Sequence, residues 1–343
     1  MGNIKVAKMK NTARALFISL LFLAFTSVVA KEVALHQTPR VKNLFIIVAN
    51  GIRYKDALGN KNHLYTESIW NKLRPLGTIC TKFFNAELTY PIPAQASLLT
   101  GVWHIFENPL SEQIRPAFPT LFEYWKKNRK DSSDCCYFAS SKKKLKILTY
   151  SDNKEYGQLY APVFETNADS SLDTTFEGGK LEVIENAIYE KAVAYIFKQY
   201  PSFVYLNLGS GVGDEYARWG THECSVDGCG GADLLNAYYE SIILFDAIVY
   251  DLWDRIQHDK IYKEKSLFII LSDHGRHTDS FHGYGDNCEG CQHLNFLAIG
   301  PGIKKNFISK KKRTLIDICP TVGALFDIPT PCAKGKIMKE LLK

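Results

Sequence analysis

Carboxylate and imidazole side chains follow two apolar segments of this sequence. Asp273 and His274 come directly after "SLFIILS", and His282 follows in "FHG". Asp214 and Glu215 come shortly after "SFVYLNLG". Carboxylate oxygens and imidazole nitrogens are ligands that zinc and similar divalent ions prefer. Asp273 in isolation would more simply cap the next turn, but the three clusters together predict a metal-binding cleft.

The stretch "TYPIPAQASLLTG" at 89–101 is the second candidate for chemistry. Its prolines predict a non-regular approach, and "SLLTG" predicts a short helix that ends at Gly101. Backbone N–H groups at such a turn-to-helix junction favour negative charge, which develops when an ester is attacked. Thr89, Ser97 and Thr100 are therefore the candidate nucleophiles in this stretch.

Apolar segments and long amphipathic segments alternate along the chain. Predicted strands lie at 43–50, 78–88, 135–140, 202–209, 266–275 and 294–302, and predicted helices at 67–77, 119–128, 181–200, 232–257 and 314–328. Residues 141–178 are predicted to be irregular. This alternation is typical of an α/β sandwich around a mostly parallel sheet. Functional groups in such sheets lie at the carboxyl ends of the strands, where the candidate ligands stand.

Residues 1–30 have the pattern of a secretory signal peptide. Basic residues precede the apolar run "ALFISLLFLAF", and "SVVA" ends in small residues before Lys31. A membrane anchor is the alternative, but the run is shorter than the roughly 20 residues that span a bilayer. We therefore expect an exported protein, periplasmic or extracellular, with no permanent membrane span after cleavage and a single domain over 31–343.

The formal net charge of +6 comes mainly from the same segment. Residues 1–30 carry four positive charges and no negative one, so the remainder carries +2 (6 minus 4). This small excess predicts no nucleic-acid partner. Basic runs at 126–130, 142–146 and 310–313 are interpreted as solvated surface, with docking to an anionic surface as the alternative.

The nine cysteines suit an oxidising compartment, where disulfides persist. Cys224 with Cys229 and Cys288 with Cys291 form two close pairs, which fit either disulfides or a four-cysteine zinc site. Export favours disulfides. The odd count leaves at least one thiol outside any internal pair.

Several motifs resemble those of the alkaline phosphatase superfamily, most closely its type I phosphodiesterase and sulfatase-like branch. The closing motifs are "SDHGRH", "NFLAIGPGIKK" and "LIDICPTVGALFDIPTP", and the opening ones are "FIIVANGIRYKDAL" and "AQASLLTGVW". They stand in the right order and cover residues 43–335. The resemblance implies an alkaline-phosphatase-like three-layer sandwich and metal-dependent cleavage of phosphate or sulfate esters.

The resemblance also assigns site positions, several of which carry a different residue here. Asp273 and His274 match the family's aspartate–histidine ligand pair. Asn50 stands where the first aspartate ligand is expected. Pro91 stands at the nucleophile position and Gln95 at the position of a neighbouring histidine.

The second metal site of the family is altered as well. The family has an aspartate followed four residues later by a histidine, whereas this chain has Asp214 and then Arg218. His282 matches the last histidine ligand in one alignment, and Tyr284 takes that position in another. His293 is a further candidate for this ligand.

These departures have a consistent chemical meaning. Asn50 offers an uncharged carbonyl oxygen, which suits calcium or magnesium better than zinc. Arg218 cannot coordinate a cation, but its planar fork suits a phosphate or sulfate. Thr89, two residues before Pro91, is the displaced nucleophile candidate, and attack by water is the alternative. The substitutions predict one ion rather than two.

Two functions follow from the resemblance and its departures. The first is an exported metal-dependent hydrolase of phosphate, phosphodiester or sulfate esters, with a small anionic ester as substrate. The second is a pseudoenzyme that keeps the fold as an anion- or partner-binding module. Loss of the expected nucleophile favours the second, since such a loss lowers turnover by several orders of magnitude.

Overall fold

The centre of the fold is the apolar segment Asn43–Ala49, which forms strand β1 and is buried at every position. Parallel neighbours hydrogen-bond to both of its edges, and side chains cover both of its faces. Burial on all sides explains why the segment is continuously apolar rather than alternating.

The structure, a computed structural model, describes residues 41–105, 113–129, 135–166, 180–209, 231–279 and 283–343. The further strands are β2 Gly77–Cys80, β3 Phe83–Phe84, β4 Cys136–Ser140, β5 Val163–Thr166, β6 Phe203–Leu208, β7 Ser266–Ser272, β8 His293–Leu294, β9 Phe296–Ile299, β10 Phe307–Ser309 and β11 Arg313–Thr314. The helices are α1 Pro91–Thr100, α2 Leu121–Asn128, α3 Lys180–Gln199, α4 Gly231–His258, α5 Glu289–Gln292 and α6 Ile318–Phe326. Short 3-10 or π turns lie at Tyr54–Asp56, Ile69–Leu73, Arg74–Leu76, Lys143–Thr149, Gln158–Tyr160, Leu315–Asp317 and Lys339–Leu341.

Eight of these strands form one sheet in the order β10-β2-β9-β7-β1-β6-β4-β5. All its pairs are parallel except the two that involve β9, which runs against both neighbours. The carboxyl ends of β7, β1, β6 and β4 therefore lie side by side at one edge. The amino end of β9 reaches the same edge. A second sheet of three short strands has the order β11-β3-β8.

Helices cover both faces of the large sheet, so the predicted three-layer α/β sandwich is confirmed. Residues of β1 alternate between two apolar clusters, with Ile46 and Val48 in one and Phe45 and Ile47 in the other. Helices α1, α2 and α6 pack in the first cluster, and α3 and α4 in the second. The unit that these layers form spans Val41–Lys343. In the described part of the chain, no helix combines the length and apolarity that a membrane span requires.

Three local predictions need correction. The stretch before "SLLTG" is helical from Pro91 onward, because proline is tolerated in the first turn, where N–H groups have no intrahelical acceptor. Residues 141–178 include the turn Lys143–Thr149 and the edge strand β5, which is only half buried and so lacks a strong apolar pattern. The helix expected at 67–77 is a π turn followed by a 3-10 turn that contains Pro75.

Candidate functional site

The carboxyl edge of the large sheet brings together the residues that follow β1, β7 and β4. The backbone N–H of Asn50 donates to Leu208 O at 2.9 Å, which continues the β1–β6 ladder by one residue. Asp273 follows β7 next to Asn50. Lys142 lies two residues beyond β4. The sequence prediction that strand ends converge here holds for Asn50, Asp273 and His274.

The carboxylate of Asp273 lies at the centre of the cluster and is fully buried. Its Oδ2 accepts hydrogen bonds from Asn50 Nδ2 and Gln95 Nε2, both at 2.8 Å. Its Oδ1 accepts from the backbone N–H of His274 at 2.9 Å and of Gly51 at 3.4 Å. Four N–H donors therefore satisfy the two carboxylate oxygens without an ion.

Asn50 is held between a carboxylate and an ammonium group. Its Nδ2 donates to Asp273, and its Oδ1 accepts from Lys142 Nζ at 2.9 Å. Both contacts fix the orientation of the amide, since a flipped amide would point its N–H groups at the ammonium. Lys142 is only 8% exposed. The carbonyl oxygen that would coordinate an ion is thus engaged by a buried cation.

Gln95 connects the same carboxylate to the sheet below. It lies on α1, and its Oε1 accepts a hydrogen bond from the hydroxyl of Tyr205 on β6 at 2.9 Å. Because a phenol donates its proton to the carbonyl oxygen, the amide N–H group of Gln95 must face Asp273. Burial, and next the charge of Asp273, raise the pKa of Tyr205 well above its usual range, so the phenol stays protonated.

His274 presents a buried, neutral imidazole to the site. Its Nδ1 is 2.8 Å from Gly275 O, a carbonyl that can only accept, so Nδ1 carries the proton. Burial is the main cause that lowers the pKa of His274, and the positive charges of Lys142 and Arg276 add to it, against the charge of Asp273. Within the described residues, Nε2 has no hydrogen-bond partner and lies 3.8 Å from Asp273 Oδ1.

A second buried polar atom without a partner lies on β6 near the end of the strand. Asn207 Oδ1 accepts a hydrogen bond from Ser140 Oγ at 3.1 Å, and the same hydroxyl oxygen accepts from the backbone N–H of Lys142 at 3.0 Å. Asn207 Nδ2 is buried, with no partner among the residues described. Ser140 thus joins Asn207 to the segment that carries Lys142.

Thr89, the candidate nucleophile, is fully buried just before α1. Its hydroxyl donates to the backbone carbonyl of Asp286 at 2.8 Å. Ser97 and Thr100 lie within α1, and their hydroxyls donate to carbonyls one turn earlier, at Pro93 and Ala96. These contacts assign the hydroxyl protons of the stretch to backbone acceptors.

The other sequence candidates have different outcomes. Asp214, Arg218 and His282 lie outside the described residues. His293 is at the small sheet, where its ring stacks on Tyr54 at 4.0 Å and on Phe84 at 4.7 Å between centroids. Its Nε2 is 3.0 Å from Thr81 O. Tyr284, which an alternative alignment offered as a ligand, packs its ring on His274 at 4.5 Å.

Two cations of the site were missed from the sequence. Lys142 was interpreted as part of a solvated basic run, but the run begins at the end of β4, so its first lysine turns into the sheet edge. Arg276 is 1% exposed and donates through Nε to Gly51 O at 3.1 Å. Lys142 could have been identified from its position just after a predicted strand. Arg276 could have been identified from "DHGR", which directly follows a buried strand.

This donor set fits a divalent ion only in part. Asp273 Oδ1 and His274 Nε2 are close enough to share an ion, and Nε2 is the orphaned buried atom that such an ion would explain. Against this, the Asn50 oxygen is engaged by Lys142, and two fixed positive charges lie close to the imidazole. The residues described here therefore do not by themselves form a complete site for a divalent ion.

The comparisons with known proteins agree with this fold. Residues 42–328 match the family model described as Sulfatase, and the chain belongs to the sulfatase family. Members of that family generally use a divalent metal ion. The predicted membership of the alkaline phosphatase superfamily is confirmed. No curated protein matches the sequence.

Three solved structures show the same architecture. The 2-O GAG sulfatase BT1596 has a TM-score of 0.64 at 14% identity, covering 88% of this chain and 74% of its own. The phosphonate monoester hydrolase of Agrobacterium radiobacter has a TM-score of 0.62 at 14% identity, covering 88% and 77%. A protein in the alkaline phosphatase superfamily from Vibrio parahaemolyticus has 0.60 at 14% identity, covering 89% and 71%. At such identities the likeness concerns the fold alone.

Proposed function

We propose that this chain binds a phosphate or sulfate ester at the carboxyl edge of the sheet and does not hydrolyse it by the metal-dependent route. The observation that carries the proposal is the buried ammonium of Lys142 on the oxygen of Asn50. A fixed cation there supplies positive charge at the position of the expected ion. The protein would then be a hydrolase-fold binding module.

The polar groups around Lys142 support anion binding. The ammonium of Lys142 donates to the oxygen of Asn50 and carries a positive charge into this edge of the sheet. Asn207 Nδ2 is a further buried N–H donor, linked to the Lys142 segment through Ser140. Donors that are shielded from bulk water interact strongly with an anion, because the local dielectric is low. A tetrahedral anion offers several oxygens to such donors.

The surroundings of Asp273 support binding over turnover. Its oxygens already accept four hydrogen bonds, so binding an ion would require at least one donor to leave. Gln95 stands where the family pattern has a histidine, and it contributes one of those bonds. Pro91, at the nucleophile position, has no hydroxyl. The same substitutions that remove the usual chemistry thus complete a network that needs no ion.

The second candidate function is hydrolysis with a single ion, and the orphaned Nε2 of His274 favours it. Asp273 and His274 would hold the ion, with Asn50 if Lys142 moved, and Asp214 and His282 are the further ligand candidates. Zinc suits the imidazole, whereas calcium or magnesium suits an amide oxygen. A bound ion would polarise the ester.

In that second candidate, Thr89 or a water molecule would attack, and Arg218 would clamp the anion. Thr89 would first have to release the carbonyl of Asp286. Replacing Thr89 by Ser keeps the hydroxyl and replacing it by Val removes it. A role in attack requires activity in the first variant and its loss in the second.

Export remains part of the proposal and rests on the sequence of residues 1–30. Those residues lie outside the described part of the structure. N-terminal sequencing of the protein from the cell fraction that contains it tests this point. A mature chain that starts at Lys31, outside the cytoplasm, agrees with the proposal, whereas an intact leader in the cytoplasm contradicts it.

The binding proposal is tested by Lys142→Met with Lys146→Met as the matched control from the same basic run. Removing a charge-assisted hydrogen bond should weaken binding of an aryl sulfate or aryl phosphate by about tenfold or more. Lys146 is exposed, so its replacement should leave the affinity unchanged. Isothermal titration calorimetry measures both. Equal affinities in the two variants would overturn the assignment.

A turnover assay separates the two candidate functions. Aryl phosphate, phosphodiester and sulfate substrates are incubated with the protein and added zinc, manganese or calcium. Metal-dependent release of the aryl alcohol that Asp273→Ala abolishes would establish the hydrolase and contradict the binding module. No release, together with ester binding that depends on Lys142, agrees with our proposal.

A further inference from the structure

Four metal-ligating side chains converge beside the Asp273 cluster, on the segment that follows it. They are His277, Asp286, Cys288 and Cys291, and one ligand atom from each lies within 4.8 Å of every other. None of them belongs to the aspartate–histidine motif at Asp273. From this arrangement we propose a structural zinc site, separate from the ester site, that ties residue 277 to the loop at 286–291.

The distances agree with tetrahedral coordination. His277 Nδ1 is 3.6 Å from Cys291 Sγ and 4.0 Å from Cys288 Sγ. Usual zinc–nitrogen and zinc–sulfur bond lengths place those atoms about 3.6 Å apart around a tetrahedral ion. His277 Nδ1 is 2.9 Å from Asp286 Oδ2, and this pair would open to about 3.4 Å on binding. Small side-chain movements therefore suffice.

The backbone holds the ligands in place without any ion. Gly275 N donates to Cys291 O at 2.8 Å, and Arg276 N donates to Gly290 O at 3.1 Å. His277 N donates to Gly283 O at 2.8 Å. The two segments that carry the ligands are thus joined directly, so little order has to be gained when zinc binds.

The imidazole of His277 also depends on a glycine. A Cβ added to Gly283 would lie 2.5 Å from Cδ2 of the His277 ring and 2.6 Å from its Nε2. The close approach of backbone and ring turns Nδ1 toward the two sulfurs. The spacing Cys288-x-x-Cys291 presents two thiols from one turn, as structural zinc sites commonly do.

The ligands of this proposed site differ in type from those of the Asp273 cluster. Two sulfurs and an imidazole are soft or borderline ligands, which select zinc over calcium or magnesium. From the sequence, Cys288 and Cys291 were expected to form a disulfide or to join Cys224 and Cys229 in a four-cysteine zinc site. In the structure both sulfurs are thiols.

Zinc here would support the neighbouring site through the loop it closes. Tyr284 lies between the ligands His277 and Asp286 in the sequence, and its ring packs on His274. The carbonyl of Asp286 accepts the hydroxyl of Thr89. Fixing this loop fixes both contacts. The role is structural, because the ligands themselves do not touch Asp273 in the contacts described above.

Cobalt titration of the full-length wild-type protein tests the site without any variant. We expect one equivalent of Co²⁺ to give a thiolate-to-metal charge-transfer band and the intense visible bands of tetrahedral cobalt, and zinc to displace it. Elemental analysis should find one zinc that chelation removes. Absence of both the thiolate band and bound zinc would overturn the proposal.

Variants locate the ion and separate this site from the Asp273 cluster. Cys288→Ser with Cys291→Ser should abolish the cobalt–thiolate band, whereas Cys332→Ser, which changes a thiol elsewhere, should retain it. Asp273→Asn should also retain it, measured under conditions in which circular dichroism shows that this less stable variant is folded. A Cys288–Cys291 disulfide in the freshly purified protein, found by mass spectrometry after alkylation, would contradict the proposal. Loss of the thiolate band in an Asp273→Asn variant that is still folded by circular dichroism would also contradict it.

Discussion

The carboxylate of Asp273 accepts four hydrogen bonds. Two come from the side chains of Asn50, which follows β1, and Gln95 on α1, and two come from backbone N–H groups. A buried carboxylate is stable only when it is paired and hydrogen-bonded. Here Lys142, through Asn50, and Arg276, beside the imidazole of His274, supply the opposite charge. We therefore expect this side chain to contribute to the stability of the fold.

Asp273→Asn should lower the free energy of unfolding by about 3–5 kcal/mol. In either orientation the new amide would present its N–H groups to two of the four existing donors, and buried cations would lose their counter-charge. Asp254→Asn is the control, since Asp254 is 54% exposed in an ion pair with His258 and should change stability by less than about 1 kcal/mol. Urea unfolding measures both. Equal effects would contradict the account.

His274 predicts a pH dependence of stability whose sign follows from its lowered pKa. The folded state keeps the imidazole neutral, whereas the unfolded chain takes up a proton below its ordinary pKa of 6.5. The neutral imidazole therefore makes its full contribution to the free energy of unfolding above pH 6.5, and this contribution is lost as the pH is lowered. His104 adds to the same loss, since burial lowers its pKa to about 4.

His274→Gln should flatten this dependence. Each neutral buried histidine contributes up to about 1.4 kcal/mol per pH unit below its unfolded pKa. The variant should lose the contribution of one histidine, whereas His258→Gln, at a side chain 77% exposed, should keep the wild-type slope. Urea unfolding between about pH 7 and pH 5 gives the slopes. Identical slopes in all three proteins would show that His274 is not held neutral.

At the scale of elements, α1 is the helix that completes the site. Its first turn contains Pro91 and Pro93, which have no N–H to offer, and it ends at Gly101 with φ of 72°. Only Gln95 of this helix contacts Asp273 in the bonds described above. The helix thus contributes the side-chain amide of Gln95 to the site. The sequence had predicted backbone N–H groups and a nucleophilic hydroxyl at this junction instead.

Gln95→Glu should destabilise the protein by about 2 kcal/mol or more at neutral pH. The substitution keeps the size of the side chain but places a second carboxylate against Asp273 while removing a donor. Acidification should relieve the repulsion by protonating one of the pair. Gln95→Met, which removes the donor without adding charge, is the control and should show no such recovery. Equal losses at every pH would contradict the charge argument.

The sequence predicted the strands and helices correctly where their hydrophobic patterns extend over many residues. Strands β1, β6 and β7 are buried on both faces and have continuous apolar runs. Helices α3 and α4 are buried on one face and have periodic apolar residues. These two patterns predicted the layers of the sandwich. The edge strand β5 escaped prediction, since a half-buried edge has no strong pattern. The helical start at Pro91 escaped because proline usually interrupts helices.

The sequence predicted the clustering of candidate site residues only where a suitable side chain stands at the end of a strand. Asp273, His274 and Asn50 stand at strand ends, so the parallel sheet brings them together. Lys142 looked like part of a surface run, and Asn207 like an ordinary strand residue. Neither has a pattern of its own. Their roles depend on sheet order, with β4 beside β6 and β6 beside β1, which local sequence patterns do not encode.

At the scale of the whole molecule, the chain has the sandwich of the sulfatase family, and we propose that the groups at its carboxyl edge differ from the family pattern. The layers, the strand order and the strand-end position of the site are the scaffold. The departures that the resemblance implies are Asn50, Gln95 and Pro91, and Lys142 donates a hydrogen bond to the first of them. A scaffold of this kind can retain ester binding while its ion-dependent chemistry is lost, because binding and catalysis depend on different groups.

The most direct measurement is calorimetric titration of the wild-type protein with an aryl sulfate and an aryl phosphate, with and without added calcium, magnesium, manganese or zinc. We expect saturable binding whose affinity does not change with added ions, because the Lys142 ammonium supplies the positive charge and Asn207 Nδ2 supplies an N–H donor. Binding that appears only when a divalent ion is added would contradict it, and would place the ion at Asp273 and His274 after all.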